Sequence, residues 1–575
     1  MEQQTGKIII YQLFTRLFGN DNATNTANGT IEENGCGKLS AFNAKALKAI
    51  KELGVSHVWY TGLIEHATQT DYAAFGIRRD HPGMVKGKAG SPYAIKDYYD
   101  IDPDLADNVT ERRKEFEALV ARTHRAGLKV IIDFVPNHVA RQYASDAKPE
   151  GVADLGEKDN AHTTFYQENN FYYIPGQALE PQFDTRSEGE RYLENPAKVT
   201  GNDCFSARPS ITDWYETVKL NYGVDYLSGH TRHFDPIPDT WKKMLEILLF
   251  WASKKIDAFR CDMVEMVPVE FWNWAIPQVK ARYPEILFIA EVYNPAEYRN
   301  YIFTGKFDYL YDKVGLYDTL RAVICAMQTT QAITGCWQSL EGIQDKMLNF
   351  LENHDEQRIA SDFFAGDPLK ALPAMLVAAT MNVNPVMIYF GQELGEKGMD
   401  AEGFSGLDGR TTIFDYWSVE SIRKWRNGGK YTLSLLTEEQ KHLRAYYVKL
   451  LQMCRREVAL SKGVFYDLMY ANGNNPRFNA DRQYAFFRKA EKELLLIVAN
   501  FDPEEKDVAI HLPRHAFDYL KIKQGMYRQV EELLSGEKLD INLSAEAAVA
   551  LKLPGYSGVI VKITPTCLLE KELSK

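Results

Sequence analysis

Ile256-Asp257-Ala258-Phe259-Arg260-Cys261-Asp262 is the stretch whose reading decides the fold. A short apolar run follows the helix-like Trp241 to Lys254 and ends on charged residues. Bounded in this way, it reads as a buried strand of a parallel α/β sheet. Upstream, the same pattern recurs at Ile8-Ile9-Ile10-Tyr11-Gln12, at His57-Val58-Trp59-Tyr60 after the helix-like Ala44 to Leu53, and at Val130 to Val135 after Thr110 to Ala126. Downstream it recurs at Leu287 to Ala290, Phe307 to Tyr309, Met347 to Leu351 and Val386 to Phe390. Eight such runs, each with helix-like sequence near it, predict an α/β fold, a closed (β/α)8 TIM barrel.

The spacing is uneven in one place. About 120 residues separate the third run from the fourth, where a single βα unit takes roughly 30. The extra sequence is polar, aromatic and rich in Asn, Gly and Pro, and is read as a small domain inserted after strand 3 over residues 140–235. The barrel is then expected over 1–139 and 236–435. After about Leu436 the pattern changes to that of an antiparallel sheet, with strands at Gln483 to Arg488 and Leu494 to Asn500 and with Gly558 to Ile563 placed to close it. A C-terminal antiparallel β-sandwich domain is therefore expected over 436–575. Gly19 to Gly37, rich in Asn, Thr and Gly, reads as a loop.

A chain of 575 residues exceeds what a single compact core supports. Its formal net charge of -11 gives no bulk attraction for phosphate backbones, so nucleic acid is not an expected partner. The 32 Tyr, 29 Phe and 9 Trp are enough for a large aromatic core, and for exposed rings that stack on sugars. Seven cysteines without zinc-type spacing read as reduced thiols. No 18-residue apolar run is present, so no membrane partner is expected. Met1 to Lys7 lacks the apolar stretch of a secretory leader, which predicts a cytoplasmic protein.

Active sites of parallel barrels lie at the C-terminal ends of the strands. There this chain places Asp133 through His138 after the third run, Arg260-Cys261-Asp262 at the fourth, Glu291 at the fifth, and Glu352-Asn353-His354-Asp355 at the seventh. Ionisable groups ending four strands should converge on one mouth, and clustering them is costly unless they pair or bind something.

These four segments resemble, in order and placement, the four signature regions of glycoside hydrolase family 13, the α-amylase family. The resemblance takes in the insert and the C-terminal β-domain and so spans essentially the whole chain. It implies that Asp262 is the nucleophile forming a covalent glycosyl-enzyme intermediate, Glu291 the general acid/base, and Asp355 the carboxylate that stabilises the transition state. A retaining glycosidase needs one ionised and one protonated carboxyl about 5–5.5 Å apart. Arg260, on the same strand face as Asp262, would keep the nucleophile charged. His138 and His354 match histidines that bind sugar hydroxyls. Tyr93, in a segment like the family's Gly-Tyr-x-x-x-Asp-Tyr but with Pro92 for the Gly, would stack on the sugar. Asp133 is read as structural, bonding Arg260 or loop amides. The implied substrate is an α-glucan or maltooligosaccharide. Hydrolysis through the covalent intermediate is the leading expectation, with a glucanotransferase or trehalose-forming isomerase as alternatives. A non-catalytic relative would be expected to have lost catalytic acids.

The match departs in places. Where many α-amylases follow the nucleophile strand with Lys-His, this chain has Glu265 and Met266. Val218-Lys219-Leu220-Asn221 is closer to neopullulanases and cyclomaltodextrinases than to α-amylases. Asn137 matches a residue that often binds Ca2+, and Asn20, Asp21, Asn22, Asn25 and Asn28 offer further oxygens in a loop. A structural Ca2+ is thus left open, and no cofactor is required, because carboxylates alone run this chemistry. Oligomeric state is not legible.

Overall fold

Successive side chains of a strand point to opposite faces, so each apolar run has two faces to bury. In the computed structural model, which describes residues 6–187 and 189–568, they form eight parallel strands. These are β1 Ile9–Phe14, β2 His57–Thr61, β3 Lys129–Phe134, β4 Ala258–Cys261, β5 Leu287–Ala290, β6 Tyr309–Tyr311, β7 Met347–Phe350 and β8 Val386–Tyr389. Each pairs with its neighbours in sequence, and β8 closes on β1 through Ile9 beside Val386 and Gln12 beside Tyr389. The barrel is the one expected. Two strands start two residues later than read, β4 at Ala258 rather than Ile256 and β6 at Tyr309 rather than Phe307. Phe307 packs outside the sheet, its ring 4.8 Å from that of Trp272. An aromatic at every second position from 307 to 311 does not mark where pairing begins.

Alternation sorts the side chains. Ile10, Trp59, Ile131, Ala258, Ile289, Leu348 and Met387 fill the barrel interior as one buried cluster. Their neighbours Tyr11, Val58, Ile132, Phe259 and Phe288 face outward into the main core. One step further along the inward face come Gln12, Asp133, Arg260 and Glu291, so the same alternation that builds the interior aims polar groups at the mouth.

Helices cover the outside: α1 Ala44–Lys51, α2 Arg112–Arg125, α3 Asp239–Ser253, α4 Val269–Arg282, α5 Asp318–Ile324, α6 Leu372–Thr380 and α7 Glu438–Arg456. β5 is followed only by short turns at Pro295–Glu297 and Asn300–Thr304. α7, which starts the C-terminal segment, packs on the barrel: Gln452 Nε2 donates to Glu52 O at 2.7 Å and Tyr447 accepts from Gln392.

Between β3 and α3 the chain makes small antiparallel pairs, among them His138–Ala140 with Thr217–Lys219 and Val224–Asp225 with Thr231–Arg232. After α7, six antiparallel strands form one sheet with a two-stranded sheet beside it. Ser557–Ile563 does not close that sheet. It lies inside it, between Glu493–Asn500 and Gly525–Glu532. Its buried Val559-Ile560-Val561 run suits a strand covered on both faces. All seven cysteines are unpaired. Among the described residues no helix is long and apolar enough to cross a membrane. Met1 to Thr5, part of the segment read for a leader, lie outside the described residues.

Trp272 of α4 is fully buried against Phe134, Phe271 and Phe307. Trp272→Ala is expected to lower stability by about 3–5 kcal/mol, read as a fall in the urea midpoint at constant slope. An unchanged midpoint would mean that this helix–barrel contact does not limit unfolding.

Candidate active site

The register of β3, β4 and β5 places Asp133 beside Arg260 and Arg260 beside Ile289, two residue positions below Asp262 and Glu291. Arg260 is fully buried, with its guanidinium carbon 5.2, 5.4 and 5.6 Å from the ring centres of Trp59, Tyr93 and Tyr311. Its Nη1 lies 2.7 Å from Asp262 Oδ1 and 3.6 Å from Asp133 Oδ1, and its Nη2 lies 2.9 Å from Glu291 Oε2. A flat cation wedged between rings can serve both carboxylates without turning.

Burial raises the proton affinity of Asp262 and Arg260 opposes it. Burial also raises Glu291, opposed by Arg260 and reinforced by the charge of Asp262. Asp262 and Glu291 are thus bridged by one guanidinium, Nη1 on the first and Nη2 on the second. Glu291 Oε2 accepts from the Met263 N–H at 2.9 Å, and Oε1 from the Tyr293 hydroxyl at 2.6 Å. Met263 adopts a left-handed φ of 43°, a conformation costly for a side chain of this size, and the turn aims its N–H at the acid. Glu265 Oε2 accepts from the Tyr293 and Asn294 N–H groups and so ties down the loop that carries Tyr293.

Asp355 stands across the mouth with its side chain 41% exposed and Oδ2 3.1 Å from His354 Nε2. Burial and then the charge of Glu291 raise its proton affinity, and Arg260 opposes the rise. His354 is buried and its pKa is pushed well below the ordinary value by desolvation and by Arg260, so it is neutral. Gln12 Nε2 donates to its Nδ1 at 2.8 Å, which leaves the proton on Nε2, facing Asp355 and the Tyr93 hydroxyl. The Tyr93 ring stacks on His354 at 5.1 Å. His138, its pKa pushed down to about 3 by burial and by Lys219, is likewise neutral and packs edge-on against Trp214 at 5.2 Å. Asp133 accepts from Trp59 Nε1 at 3.0 Å, and burial pushes it up to about 7.

Tyr93, His138, Asp262, Glu291 and Asp355 line one cavity of about 400 Å3. Arg260 and His354 support it from beneath. Asn137 does not line this cavity, though its Nδ2 lies 3.2 Å from His138 Nδ1. Its Oδ1 accepts from the Lys219 ammonium at 2.8 Å, and that ammonium lies 2.6 Å from Asp203. A cation already holds the oxygen that Ca2+ would need, so this position does not fit a calcium ligand set. In the Asn-rich loop, Asn20, Asn22 and Asn25 Oδ1 each accept a backbone N–H, and Asp21 pairs with Arg426. Asn20 and Asn22 thus shape local turns, while Asn25 and Asp21 tie the loop to Ser418 and Arg426.

Gln12, Trp59, Tyr311, Tyr293 and Trp214 were not singled out from the sequence. Gln12 was detectable as a polar residue on the inward face of an apolar strand. Trp214 carries no local signal, since the insert's fold alone brings it to His138.

The family profile described as "Alpha amylase, catalytic domain" matches residues 12–440. α-Amylase 2 of Dictyoglomus thermophilum is 20% identical over 87% of this chain and 70% of its own. Neopullulanase 2 of Thermoactinomyces vulgaris is 22% identical over 88% of this chain and 71% of its own. Among solved structures, a maltogenic α-amylase from Thermotoga neapolitana superposes with a TM-score of 0.61 at 19% identity, covering 98% of this chain and all (100%) of that one. With three quarters of its length matched by the catalytic-domain profile and with that domain's barrel in place, the chain belongs to the α-amylase family of glycoside hydrolases.

Proposed function

We propose that this enzyme is a retaining hydrolase of α-1,4-linked glucans and maltodextrins. The observation that carries the reading is the pair of buried carboxyls, Asp262 and Glu291, held by one guanidinium in a cavity walled by Tyr93 and Trp214. In the first step Asp262 attacks the anomeric carbon while Glu291 gives its proton to the glycosidic oxygen. The carbon–oxygen bond breaks, and a glycosyl ester forms on Asp262. In the second step Glu291, now ionised, takes a proton from water, whose oxygen attacks the same carbon and frees Asp262. Arg260 supports both stages: it balances Asp262 before attack and Glu291 after proton donation. Neutral His354 and His138 present ring nitrogens to sugar hydroxyls without adding charge, and Asp355 faces the positive charge that develops on the ring. The names of the amylase and neopullulanase relatives support an α-glucan as substrate.

Wild type incubated with maltoheptaose is expected to yield shorter maltooligosaccharides by chromatography, and Asp262→Asn to slow this by on the order of 10⁴-fold. Products longer than maltoheptaose would replace hydrolysis with transfer, and equal rates would remove Asp262 from the chemistry. A second prediction concerns pH. The Tyr293 hydroxyl donates to the Glu291 carboxylate and so favours its ionised form. Tyr293→Phe removes that bond, raises the pKa of the acid and moves the alkaline limb of kcat/KM to higher pH, by up to about one unit for a charge-assisted bond of about 1.5 kcal/mol. A limb that stays put, or moves down, would contradict this arrangement. Third, because Lys219 holds Asn137, we propose that no Ca2+ is needed there. EDTA should leave Tm and activity unchanged, and a Tm restored only by added Ca2+ would overturn this.

A further inference from the structure

Barrel order sets which loops face each other. With strands closed in the order β1 to β8, the β4–β5 arc lies opposite the β8–β1 arc. Glu291 must protonate the leaving oxygen, so the leaving portion of the substrate lies on the β4–β5 side. On that side lies a second, separate hollow of about 540 Å3, lined by Glu265, Met266 and Asn294, close in sequence to Met263 and Tyr293, together with Tyr226 and Arg232 of the insert. On the opposite side two loops line the cavity. Lys86, Ser91, Ile413 and Phe414, from the loops after β2 and β8, line the same cavity as Asp262 and Glu291. They therefore stand within one small chamber of the reacting bond.

These two loops are bound together as a single wall. The Ala89 N–H donates to Phe414 O at 3.0 Å. Arg16, just after β1 and buried, donates to Ala89 O at 2.8 Å, Gly90 O at 3.0 Å and Ile413 O at 2.7 Å, joining both loops through one side chain. The backbones are in such close approach that a Cβ at Gly87 would lie 2.2 Å from Phe414 O, and Gly87 has a φ of +66°. At its insert end the wall is sealed by the ion pair of Lys86 with Glu216, 3.0 Å apart and nearly buried. A buried guanidinium shared by three carbonyls holds such a wall in place, since opening it would strand a charge and three acceptors away from water.

We propose that this wall ends the glycon side of the cleft close to the cleaved bond, so that the enzyme acts from the non-reducing end of its glucan rather than in mid-chain. The inference rests on the proposed α-glucan hydrolysis and names the form of substrate that the same site accepts: a chain with a free non-reducing terminus, its remainder running out over the β4–β5 side.

The test uses the wild-type chain with two substrates, maltoheptaose and maltoheptaose carrying a 4,6-O-ethylidene block on its non-reducing glucose. Cleavage of the free substrate with at least 50-fold slower cleavage of the blocked one is the expected result. Comparable rates on both would overturn the end-acting mode while leaving hydrolysis intact. Cleavage of neither would overturn hydrolysis and this inference with it. Phe414→Ala, which thins the wall and leaves the carboxylates in place, should raise the rate on the blocked substrate at least ten-fold over wild type. No gain, in a variant that still cleaves free maltoheptaose, would overturn the wall as the cause.

Discussion

Arg260 is the constraint on which the mouth of the barrel depends. It is a permanently charged group with no access to solvent, and it touches Asp133, Asp262 and Glu291 within 3.6 Å. Four carboxyls, counting Asp355, share the mouth with it. Their mutual repulsion would drive them to bind protons, and burial pushes in the same direction. The guanidinium sets how many can stay ionised. Because it leans on three rings, its position is set by packing rather than by the acids it serves, so the carboxyls arrange around it and not the reverse.

The rest of the site follows from the need to place neutral donors beside that cluster without adding charge. His138 and His354 are desolvated and lie near the cations Lys219 and Arg260 respectively, which keeps both rings unprotonated. Gln12 selects the tautomer of His354. Glu265 and the left-handed Met263 hold the turn between nucleophile and acid. Arg16 plays for the loops the part that Arg260 plays for the acids: a buried planar cation whose several donors unite segments distant in sequence. In place of a metal at Asn137, the Lys219 ammonium bridges Asn137 and Asp203 and joins the end of β3 to the insert.

Much of this was legible from the chain. Short apolar runs such as Ile8 to Gln12 and Ile256 to Cys261, set among helix-like stretches, identify the strands, and polar groups directly after them mark the strand ends. That is why the barrel and the convergence of Asp262, Glu291, Asp355 and Arg260 could be expected. Boundaries were less legible. Phe307, Tyr309 and Tyr311 are equivalent in alternation, and only the ladder to β5 shows that pairing starts at Tyr309. Gly558 to Ile563 was recognisable as a strand but not as an interior one, because a strand's neighbours in a sheet are set by long-range pairing.

By itself, then, the sequence determined the fold class, the inward residues at the strand ends and the chemistry those residue types can run, because these depend on local period and side-chain type. The tertiary structure alone decided that Asn137 meets an ammonium, that Trp214 reaches His138, that Tyr293 caps the acid, and that the loops after β2 and β8 line one side of the cavity. Each of those contacts joins residues tens to hundreds of positions apart or depends on the path of an irregular loop. Such a path is chosen by buried hydrogen bonds and ion pairs, which leave no period in the chain to read.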